Sequence, residues 1–324
     1  MKVHILDDWF DTLRGLPCFA KLADHDVTVW TDHQPDPVML AERIQDAEAV
    51  VLFRERTKIG ANLLERVPKL KLISQRSVYP HIDVAACTAN DVLLTSNMHS
   101  DTPSYAAAEL TLGLILASFR QIPAQAASLK AGDWQAGVGR SLRGRTLGLY
   151  GYGRIARAVA GYAKALGLHV QWWSSEAGRA RAVADGEIVA ATREAFFANS
   201  DIISVHVRLK PETRGIIRAA DLAAMQPRAL FVNTSRSGLV EQGALEAEVA
   251  KNRIWAAVDV FDSEPLTDTA HPLLTHPNVL ATPHIGYVTE DEFDLQFSDI
   301  FDQINAYAAG DPIHMINPEV WAKS

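Results

Sequence analysis

The chain has 324 residues, of which 48% are hydrophobic and 22% are charged, a composition typical of globular proteins and not of disordered or fibrous ones. At roughly 150 residues per domain, this length predicts two domains. The 31 Lys and Arg residues and 39 Asp and Glu residues give a formal net charge of −8. This charge argues against a general binder of nucleic acid but still allows a small anionic ligand.

Cysteine content and hydropathy predict the compartment. Cys18 and Cys87 are too few for a disulfide framework or a CxxC metal site, so we predict a reducing compartment and no bound metal. Residues 1–8 lack the apolar segment of a signal peptide, and the longest apolar run, residues 110–119, is far shorter than the ~20 residues of a membrane span. We therefore expect a cytoplasmic protein without a membrane or nucleic-acid partner.

Short aliphatic runs alternate with longer amphipathic segments along the chain, a pattern that predicts parallel βαβ units. In the first part the predicted strands are residues 3–6, 27–30, 49–53, 70–74 and 92–96. A second, more apolar series is predicted at residues 146–150, 169–173, 187–190, 201–207, 229–235, 255–261 and 279–282. The pattern therefore predicts two α/β layers, each with its own sheet.

Two longer helices are predicted outside these series. The first covers residues 102–121 and connects the two layers, with Pro103 in its first turn, where proline is favoured. The second, residues 289–309, is acidic and follows the last predicted strand. Because this last segment is too short to form a domain, we expect it to pack on one of the two units.

A dinucleotide-binding turn follows the first strand of the second series. Residues 151–156 read Gly-Tyr-Gly-Arg-Ile-Ala and lead into a predicted helix, with another strand after it. In such a turn Gly151 permits the sharp bend, Gly153 lets the backbone approach a pyrophosphate, and the helix N-terminus faces the phosphates. We therefore predict Gly151, Gly153, Arg154 and Ile155 as cofactor-binding residues.

The end of the next strand bears on the choice between NAD and NADP. An NAD-specific site usually has Asp or Glu there, about 20 residues past the glycines, to bind the ribose hydroxyls. This chain has Ser174 and Ser175, which would not repel a 2′-phosphate, and Arg179 or Arg181 can reach one. The sequence thus favours NADP over NAD as the cofactor, with Glu176 as an alternative carboxylate that would favour NAD.

Three polar residues follow the C-terminal ends of predicted strands, where ligands bind in open parallel sheets. They are Arg236, Glu264 and His284. An imidazolium can donate a proton to a developing alkoxide, a carboxylate on its other nitrogen favours the charged form, and a guanidinium can hold a substrate carboxylate. Together with the dinucleotide turn, these side chains predict the reduction of a carbonyl group.

Four sequence blocks resemble those of the D-isomer-specific 2-hydroxyacid dehydrogenase family, which includes phosphoglycerate dehydrogenases and glyoxylate/hydroxypyruvate reductases. They are Leu-Gly-Leu-Tyr-Gly-Tyr-Gly-Arg-Ile at 147–155, Val-Asn-Thr-Ser-Arg at 232–236, Asp-Val-Phe-Asp-Ser-Glu-Pro at 259–265 and Thr-Pro-His-Ile-Gly at 282–286. The resemblance covers nearly the whole chain. It implies an NAD(P)-dependent enzyme that reduces a small 2-keto acid to the D-2-hydroxy acid.

The resemblance implies roles for the three strand-end residues. His284 would be the catalytic acid–base residue and Glu264 its partner. Arg236 would bind the carboxylate and the carbonyl of the substrate.

It also implies contacts along the cofactor. Asp259 would hold the nicotinamide carboxamide, although a strand-end carboxylate can also be purely structural. Thr234, His206 and Ser104 would lie along the cofactor, with a place in the core as the alternative for His206.

The fold implied by the resemblance is a Rossmann-type doubly wound parallel sheet with a second, discontinuous flavodoxin-like α/β domain. Residues 1–100 and 284–324 would form the substrate-binding (lid) domain. Residues 101–283 would form the dinucleotide-binding domain and the interface of a homodimer. Hinge motion between the domains would close a cleft and exclude water from the reaction.

Substrate contacts are expected from two loops of the first domain. Members of the family offer backbone N–H groups to the substrate carboxylate after the strand at residues 70–74. This implies Ser77 and Val78 here, with a plain connecting turn as the alternative. Arg54 stands where phosphoglycerate dehydrogenases have an arginine that meets the substrate phosphate, so it predicts an anionic substrate tail unless it pairs with Glu55 or solvent.

Two other functions share these features. A dinucleotide-sensing binding protein, similar to corepressors of this fold, can retain the same residues without turnover, and formate and phosphite dehydrogenases resemble the same family. The chain shows no disordered partner-binding extension, and residues 76–81 show no pattern that we recognise as specific for formate or phosphite. We therefore expect the 2-keto acid reductase.

Overall fold

The computed structural model describes residues 1–98 and 105–323. The chain divides into two compact units: unit 1 is Met1–Pro103 with Val288–Ser324, and unit 2 is Ser104–Tyr287. Each unit is built on its own parallel sheet, with helices between the strands. The predicted α/β fold class is thus confirmed.

The described part of unit 1 contains a five-stranded sheet. Its strands are β1 (Lys2–Ile5), β2 (Asp26–Val29), β3 (Ala49–Val51), β4 (Leu72–Arg76) and β5 (Leu93–Asn97). The helices between them are α1 (Pro37–Arg43), α2 (Ala61–Leu64) and α3 (Val84–Ala89). The strand order is β2-β1-β3-β4-β5, which is the flavodoxin-like order.

The described part of unit 2 contains a six-stranded sheet in the order β11-β10-β9-β8-β6-β7. Two helices precede it, α4 (Ala106–Arg120) and α5 (Ile122–Lys130). The strands are β6 (Thr146–Tyr150), β7 (His169–Trp173), β8 (Ile202–Val205), β9 (Leu230–Asn233), β10 (Trp255–Val258) and β11 (Val279–Ala281). The helices are α6 (Arg154–Ala165), α7 (Glu176–Ala184), α8 (Arg193–Ala198), α9 (Ala219–Ala224), α10 (Ala244–Val249) and α11 (Pro272–Thr275).

The strand order of unit 2 reverses between β6 and β8. The chain leaves β6 toward β7 on one side and later returns to β8 on the other. Apolar side chains cover both faces of the sheet: Leu147 and Leu149 belong to one buried cluster, and Tyr150 and Phe196 to another. Such a reversal opens a crevice at the C-terminal ends of the strands, and ligands bind there in open α/β sheets.

The last segment of the chain completes unit 1. Helix α12 (Glu290–Ala308) places Phe293 and Phe297 against Phe53, with ring centroids 5.0 and 4.5 Å apart. Beyond the helix, the N–H of Ile316 donates to a carbonyl of β5 at 2.9 Å. The core of unit 1 is therefore built from two distant stretches of the sequence.

Two predicted elements differ from the structure. The strand expected at residues 187–190 is a single bridge between Val189 and Trp172. Its backbone hydrogen bonds to β7 are those of Trp172 with the carbonyl of Ile188 and the N–H of Ala190, at 2.9 and 3.1 Å. The helix expected at 102–121 is seen from Ala106 onward, and its predicted start lies outside the described residues. None of the described helices has the length and hydropathy needed to cross a bilayer.

Candidate active site

The glycine turn after β6 lies at the reversal of the strand order. Gly151 has a φ of 115°, which side chains rarely allow, and a Cβ there would lie 2.3 Å from the carbonyl oxygen of His206, directly after β8. Gly153 is the N-cap of α6, and a Cβ there would meet nothing within 4 Å. The backbone of the protein itself requires the first glycine, whereas the second leaves space for a ligand.

This turn fits the pyrophosphate of a dinucleotide. The N-cap of α6 is Gly153, which has no side chain to cap the helix, so the N–H groups of its first turn can bind an anion. Ala156 is fully buried and allows the helix to pack closely on the sheet. Arg154 and Ile155 are the first two helical residues, so the predicted cofactor-binding residues of this segment form one continuous turn.

Ser174 and Ser175 form the turn after β7. The hydroxyl of Ser175 caps α7 by accepting a hydrogen bond from a backbone N–H of its first turn at 3.3 Å. Arg179 folds back onto this turn: its Nη1 donates to the carbonyl of Ser174 at 2.6 Å, and its guanidinium lies 4.4 Å from the ring centroid of Trp173. Arg179 therefore shapes the turn, while Glu176 is exposed in the first turn of α7.

His284 and Glu264 are joined by a short hydrogen bond between Nδ1 and Oε2, 2.5 Å long. The other carboxylate oxygen accepts the N–H of Phe261 at 2.9 Å. Burial alone would raise the pKa of Glu264, but the hydrogen bonds from His284 and Phe261 and the positive charge of Arg236 lower it below its usual value. Because Nδ1 is engaged, Nε2 is the ring nitrogen that can exchange a proton with a substrate.

Asp259 holds the loop that carries His284. His284 has a left-handed φ of 53°. Oδ1 of Asp259 accepts hydrogen bonds from the Thr282 hydroxyl at 2.6 Å and the Ile285 N–H at 2.8 Å, and Oδ2 accepts from the Gly286 N–H at 2.9 Å. Burial raises the pKa of Asp259, although these hydrogen bonds oppose the rise. Asp259 thus positions this loop, and its contact with a nicotinamide carboxamide stays a prediction.

Arg236 follows β9 and is exposed. Its Nη1 donates to the carbonyl of Ser235 at 2.7 Å, and its own carbonyl accepts from the side-chain amide of Asn233 at 2.9 Å. Since β9, β10 and β11 are neighbours in the sheet, Arg236, Glu264 and His284 share one edge of unit 2. The structure thus brings the three predicted catalytic residues to the same edge as the glycine turn.

Thr234 and His206 also lie at this edge. The Thr234 hydroxyl is 2.8 Å from that of Thr111, and Nε2 of His206 is 2.9 Å from the hydroxyl of Ser204. Burial lowers the pKa of His206 to about 4, so its imidazole is neutral at pH 7. Ser104, the remaining predicted cofactor residue, lies outside the described residues.

In unit 1 the predicted substrate residues lie at the C-terminal edge of the sheet. Arg54 follows β3 and Ser77 follows β4, with left-handed φ values of 57° and 76°. The N–H of Ser77 donates to the carbonyl of Asn97 at 3.1 Å. This amide is therefore engaged within the sheet, and a contact of Ser77 with a substrate stays a prediction. Val78 is exposed, and the donation of its amide to a substrate carboxylate also stays a prediction.

Sequence reasoning missed Asp7, which follows β1 with a φ of 63°. Its buried carboxylate accepts a hydrogen bond from the Thr57 hydroxyl at 2.5 Å and contacts Nδ1 of His33 at 2.8 Å. Arg56 donates to the carbonyl of Asp7 at 2.6 Å. These contacts tie the loop that carries Arg54 to the end of β1. The only sequence signal was an acidic residue directly after a predicted strand.

Comparisons with known proteins show what this chain is similar to. Residues 112–286 match the model of the D-isomer specific 2-hydroxyacid dehydrogenase, NAD binding domain. D-3-phosphoglycerate dehydrogenase of Mycobacterium tuberculosis is 36% identical over 300 residues, which are 90% of this chain and 55% of that protein. The chain therefore spans about half the length of this relative.

Two further relatives match over almost their full length. Glyoxylate reductase of Thermococcus litoralis is 31% identical over 316 residues, 93% of each chain. The crystal structure of phosphoglycerate oxidoreductase from Vibrio cholerae has a TM-score of 0.89 and 44% identity, and the match covers 95% of this chain and 99% of that chain.

The matched region contains both the glycine turn and His284, and its description supports NAD(H) as the cofactor. The relatives are named for the oxidation or reduction of hydroxy and keto acids, and they favour neither the dinucleotide-sensing function nor the oxidation of formate or phosphite. The resemblance predicted from the four sequence blocks is confirmed: the chain belongs to the D-isomer specific 2-hydroxyacid dehydrogenase family.

Proposed function

We propose that the protein is an NAD(P)-dependent oxidoreductase that interconverts a small 2-keto acid and its D-2-hydroxy acid. The observation that carries this proposal is the hydrogen-bonded pair of His284 and Glu264, on the same sheet edge as Arg236 and the glycine turn. A nicotinamide cofactor supplies the hydride when it is bound. The names of the relatives support a substrate with a carboxylate next to the reacting carbon.

The three strand-end side chains have different roles in this reaction. His284 donates a proton from Nε2 to the carbonyl oxygen as negative charge develops there, and accepts it in the reverse direction. Glu264 fixes the orientation of the imidazole and stabilises its charged form. Arg236 binds the substrate carboxylate through its planar guanidinium. The neutral His206 adds no charge beside the glycine turn.

The proposal includes a preference for NADPH over NADH. Ser174 and Ser175 end the turn after β7 without the carboxylate that would repel a 2′-phosphate. The exposed carboxylate of Glu176 lies one residue further along and is the feature that opposes this preference.

Unit 1 is proposed as the substrate-binding domain. Arg54 and Val78 lie at the C-terminal edge of its sheet, after β3 and β4, and the guanidinium of Arg54 supports a substrate with an anionic tail. The left-handed conformation of Arg54 also supports a functional role, since strained residues cluster at binding sites.

The proposal further includes a homodimer formed through unit 2. Large apolar side chains are exposed on α5 and the segment after it, and they are Ile122, Leu129, Trp134 and Val138. Trp134 is 77% exposed and Val138 is 88% exposed. Exposed apolar side chains in such number along one segment support a protein–protein interface.

A steady-state screen tests the proposed reaction. It would use glyoxylate, hydroxypyruvate, pyruvate, phenylpyruvate and 3-phosphohydroxypyruvate, each with NADH and with NADPH. We expect turnover with at least one acid, and His284→Ala should lower its kcat by about 10²–10⁴-fold while leaving cofactor binding unchanged. The matched control is His169→Ala, an exposed histidine at the start of β7, which should keep the wild-type rate.

Two results would overturn the proposed reaction. One is a His284→Ala variant with nearly wild-type turnover. The other is a wild-type protein that binds the cofactor but oxidises neither NADH nor NADPH with any of the five acids, a result that would point to a dinucleotide-sensing function.

A further inference from the structure

A cavity of about 400 Å³ lies between the first turn of α6 and the last turn of α7. Its lining includes Tyr152, Gly153, Arg154, Arg157, Arg181 and Asp185. Three arginines and one aspartate thus line a cavity in a chain whose net charge is −8. The cavity is a local concentration of positive charge on an acidic protein.

Asp185, the single carboxylate of the lining, already accepts a hydrogen bond from a neutral hydroxyl group. The Tyr152 hydroxyl donates to Oδ2 of Asp185 at 2.5 Å, and its ring packs on Trp172 with the centroids 4.7 Å apart. Burial and this carboxylate raise the pKa of Tyr152 to about 12, so the hydroxyl stays protonated. In the described part of the chain, no carboxylate forms an ion pair with Arg157 or Arg181. The positive charges of Arg157 and Arg181 are therefore open to an anionic ligand.

The position of the cavity indicates which anion it would take. Gly153 belongs both to the glycine turn and to the cavity lining. In a dinucleotide-binding fold the adenosine ribose lies between this turn and the end of the second strand, which is β7 here. A phosphate on the 2′ oxygen of that ribose would therefore lie between the glycine turn and α7, the two segments that also contribute to the lining of the cavity.

Arg179 and Arg181, the two arginines of α7 that the sequence offers as ligands of a 2′-phosphate, have different surroundings. Arg179 lies over the ring of Trp173 and donates to the carbonyl of Ser174. Arg181 lines the cavity together with Arg157 of α6. Of these two arginines, only Arg181 thus belongs to the lining of the cavity.

We propose that Arg157 and Arg181, with Arg154, bind the 2′-phosphate of NADP in this cavity. The inference rests on the proposed cofactor preference and identifies the residues responsible for it. A guanidinium presents paired donors that match phosphate oxygens, and such charge-assisted hydrogen bonds are stronger than neutral ones. Arg181, and not Arg179, is therefore the specificity-determining residue of α7.

Calorimetric titration of the full chain with 2′,5′-ADP and with 5′-AMP tests the proposal without turnover. We expect the wild type to bind 2′,5′-ADP at least about tenfold more tightly than 5′-AMP, a difference of about 1.4 kcal/mol. Arg157→Ala and Arg181→Ala should each lower the affinity for 2′,5′-ADP by about tenfold or more and leave that for 5′-AMP unchanged. Arg179→Ala is the matched control on the same helix and should keep the ratio of the two affinities.

The outcomes separate this inference from the proposed function. Equal binding of the two nucleotides by the wild type would overturn both the NADPH preference and the site. A wild type that prefers 2′,5′-ADP, together with Arg157→Ala and Arg181→Ala variants that keep this preference, would overturn the site alone. Loss of the preference in Arg179→Ala only would assign the phosphate to the turn after β7. Circular dichroism of each variant shows that it is folded.

Discussion

The two sheets of the protein make sharp bends after their strands with different residues. In unit 2 the bend after β6 is made by Gly151, with a φ of 115°. In unit 1 the bends after β1, β3 and β4 are made by Asp7, Arg54 and Ser77, with φ values of 63°, 57° and 76°. A non-glycine residue in this conformation costs roughly 1–2 kcal/mol, so its surroundings have to hold it there.

This difference explains why the bends of the two units are unequally visible in the sequence. A glycine bend between an apolar strand and a helix is a recognisable motif. A bend made by Asp, Arg or Ser depends on contacts with other loops, such as those of Asp7 with Thr57 and His33. Unit 2 makes its bend after β6 by the absence of a side chain. Its bend at His284, after β11, is held by the hydrogen bonds of the Asp259 carboxylate, and in this respect it resembles the bends of unit 1.

Of the substitutions that test this difference between the units, Gly151→Ala should change binding and stability most. The new Cβ would lie 2.3 Å from a backbone oxygen of His206, and neither backbone can move far because each follows a central strand. We expect loss of dinucleotide binding and a free energy of unfolding lower by about 3 kcal/mol or more. Urea unfolding and titration with NADPH measure the two effects.

Gly153→Ala is the matched control for that variant. A Cβ there would meet nothing within 4 Å, so its stability should equal that of the wild type while its affinity for NADPH falls. If Gly151→Ala is as stable as the wild type, the steric account of this bend is wrong.

An intermediate effect is expected from Glu264→Gln, which removes the negative charge 2.5 Å from Nδ1 of His284. The carboxylate accepts the Nδ1 proton and holds the imidazole in place. In the variant this charge-assisted hydrogen bond becomes a weaker, neutral one, so the reductive kcat should fall by about tenfold or more while the KM for the cofactor stays unchanged. Steady-state kinetics measures both constants, and an unchanged kcat would exclude Glu264 as the partner of His284.

The same variant has an effect on stability whose sign follows from the lowered pKa of Glu264. A carboxyl group with a lowered pKa stabilises the folded protein above its ordinary pKa, about 4.3 for Glu, and this contribution is lost as the pH falls through the folded-state value. At neutral pH the urea midpoint of the wild type should therefore be higher than that of Glu264→Gln, and the two midpoints should converge in acid. A difference that persists at low pH would point to packing instead of charge.

The smallest effect is expected in unit 1, from Ser77→Gly. Glycine accepts a φ of 76° without strain, so the free energy of unfolding should rise by about 0.5–1 kcal/mol. Ser77→Ala keeps the strain and should match the wild type, and urea unfolding compares the two. If Ser77→Gly is less stable than Ser77→Ala, the bend after β4 is not strained and the contrast between the units fails.

Much of unit 2 could be predicted from its sequence because the signals are local. Strands β6 and β7 occur at the predicted residues 146–150 and 169–173, and the parallel sheet explains why Arg236, Glu264 and His284 share an edge. The hydrogen bond of the Ser77 amide could not be predicted, since its acceptor is the carbonyl of Asn97 in a neighbouring strand.

The same limit applies to side chains that are close in sequence. Arg179 and Arg181 are two residues apart on α7, and the sequence offered both as ligands of a 2′-phosphate. The ring of Trp173 lies 4.4 Å from the guanidinium of Arg179, while Arg181 lines the cavity. The direction of each side chain depends on what the fold places beside it.

The path of the chain through unit 1 sets an order of assembly during synthesis. Phe53 and β5 are made early, but the partners that cover them, Phe293, Phe297 and Ile316, leave the ribosome only after the whole of unit 2. Contacts between such distant stretches form slowly, whereas unit 2 is continuous and its partners follow one another. We therefore expect the nucleotide-binding unit to fold first, while the apolar surface around Phe53 stays exposed and open to chaperones until residues 290–316 have been made.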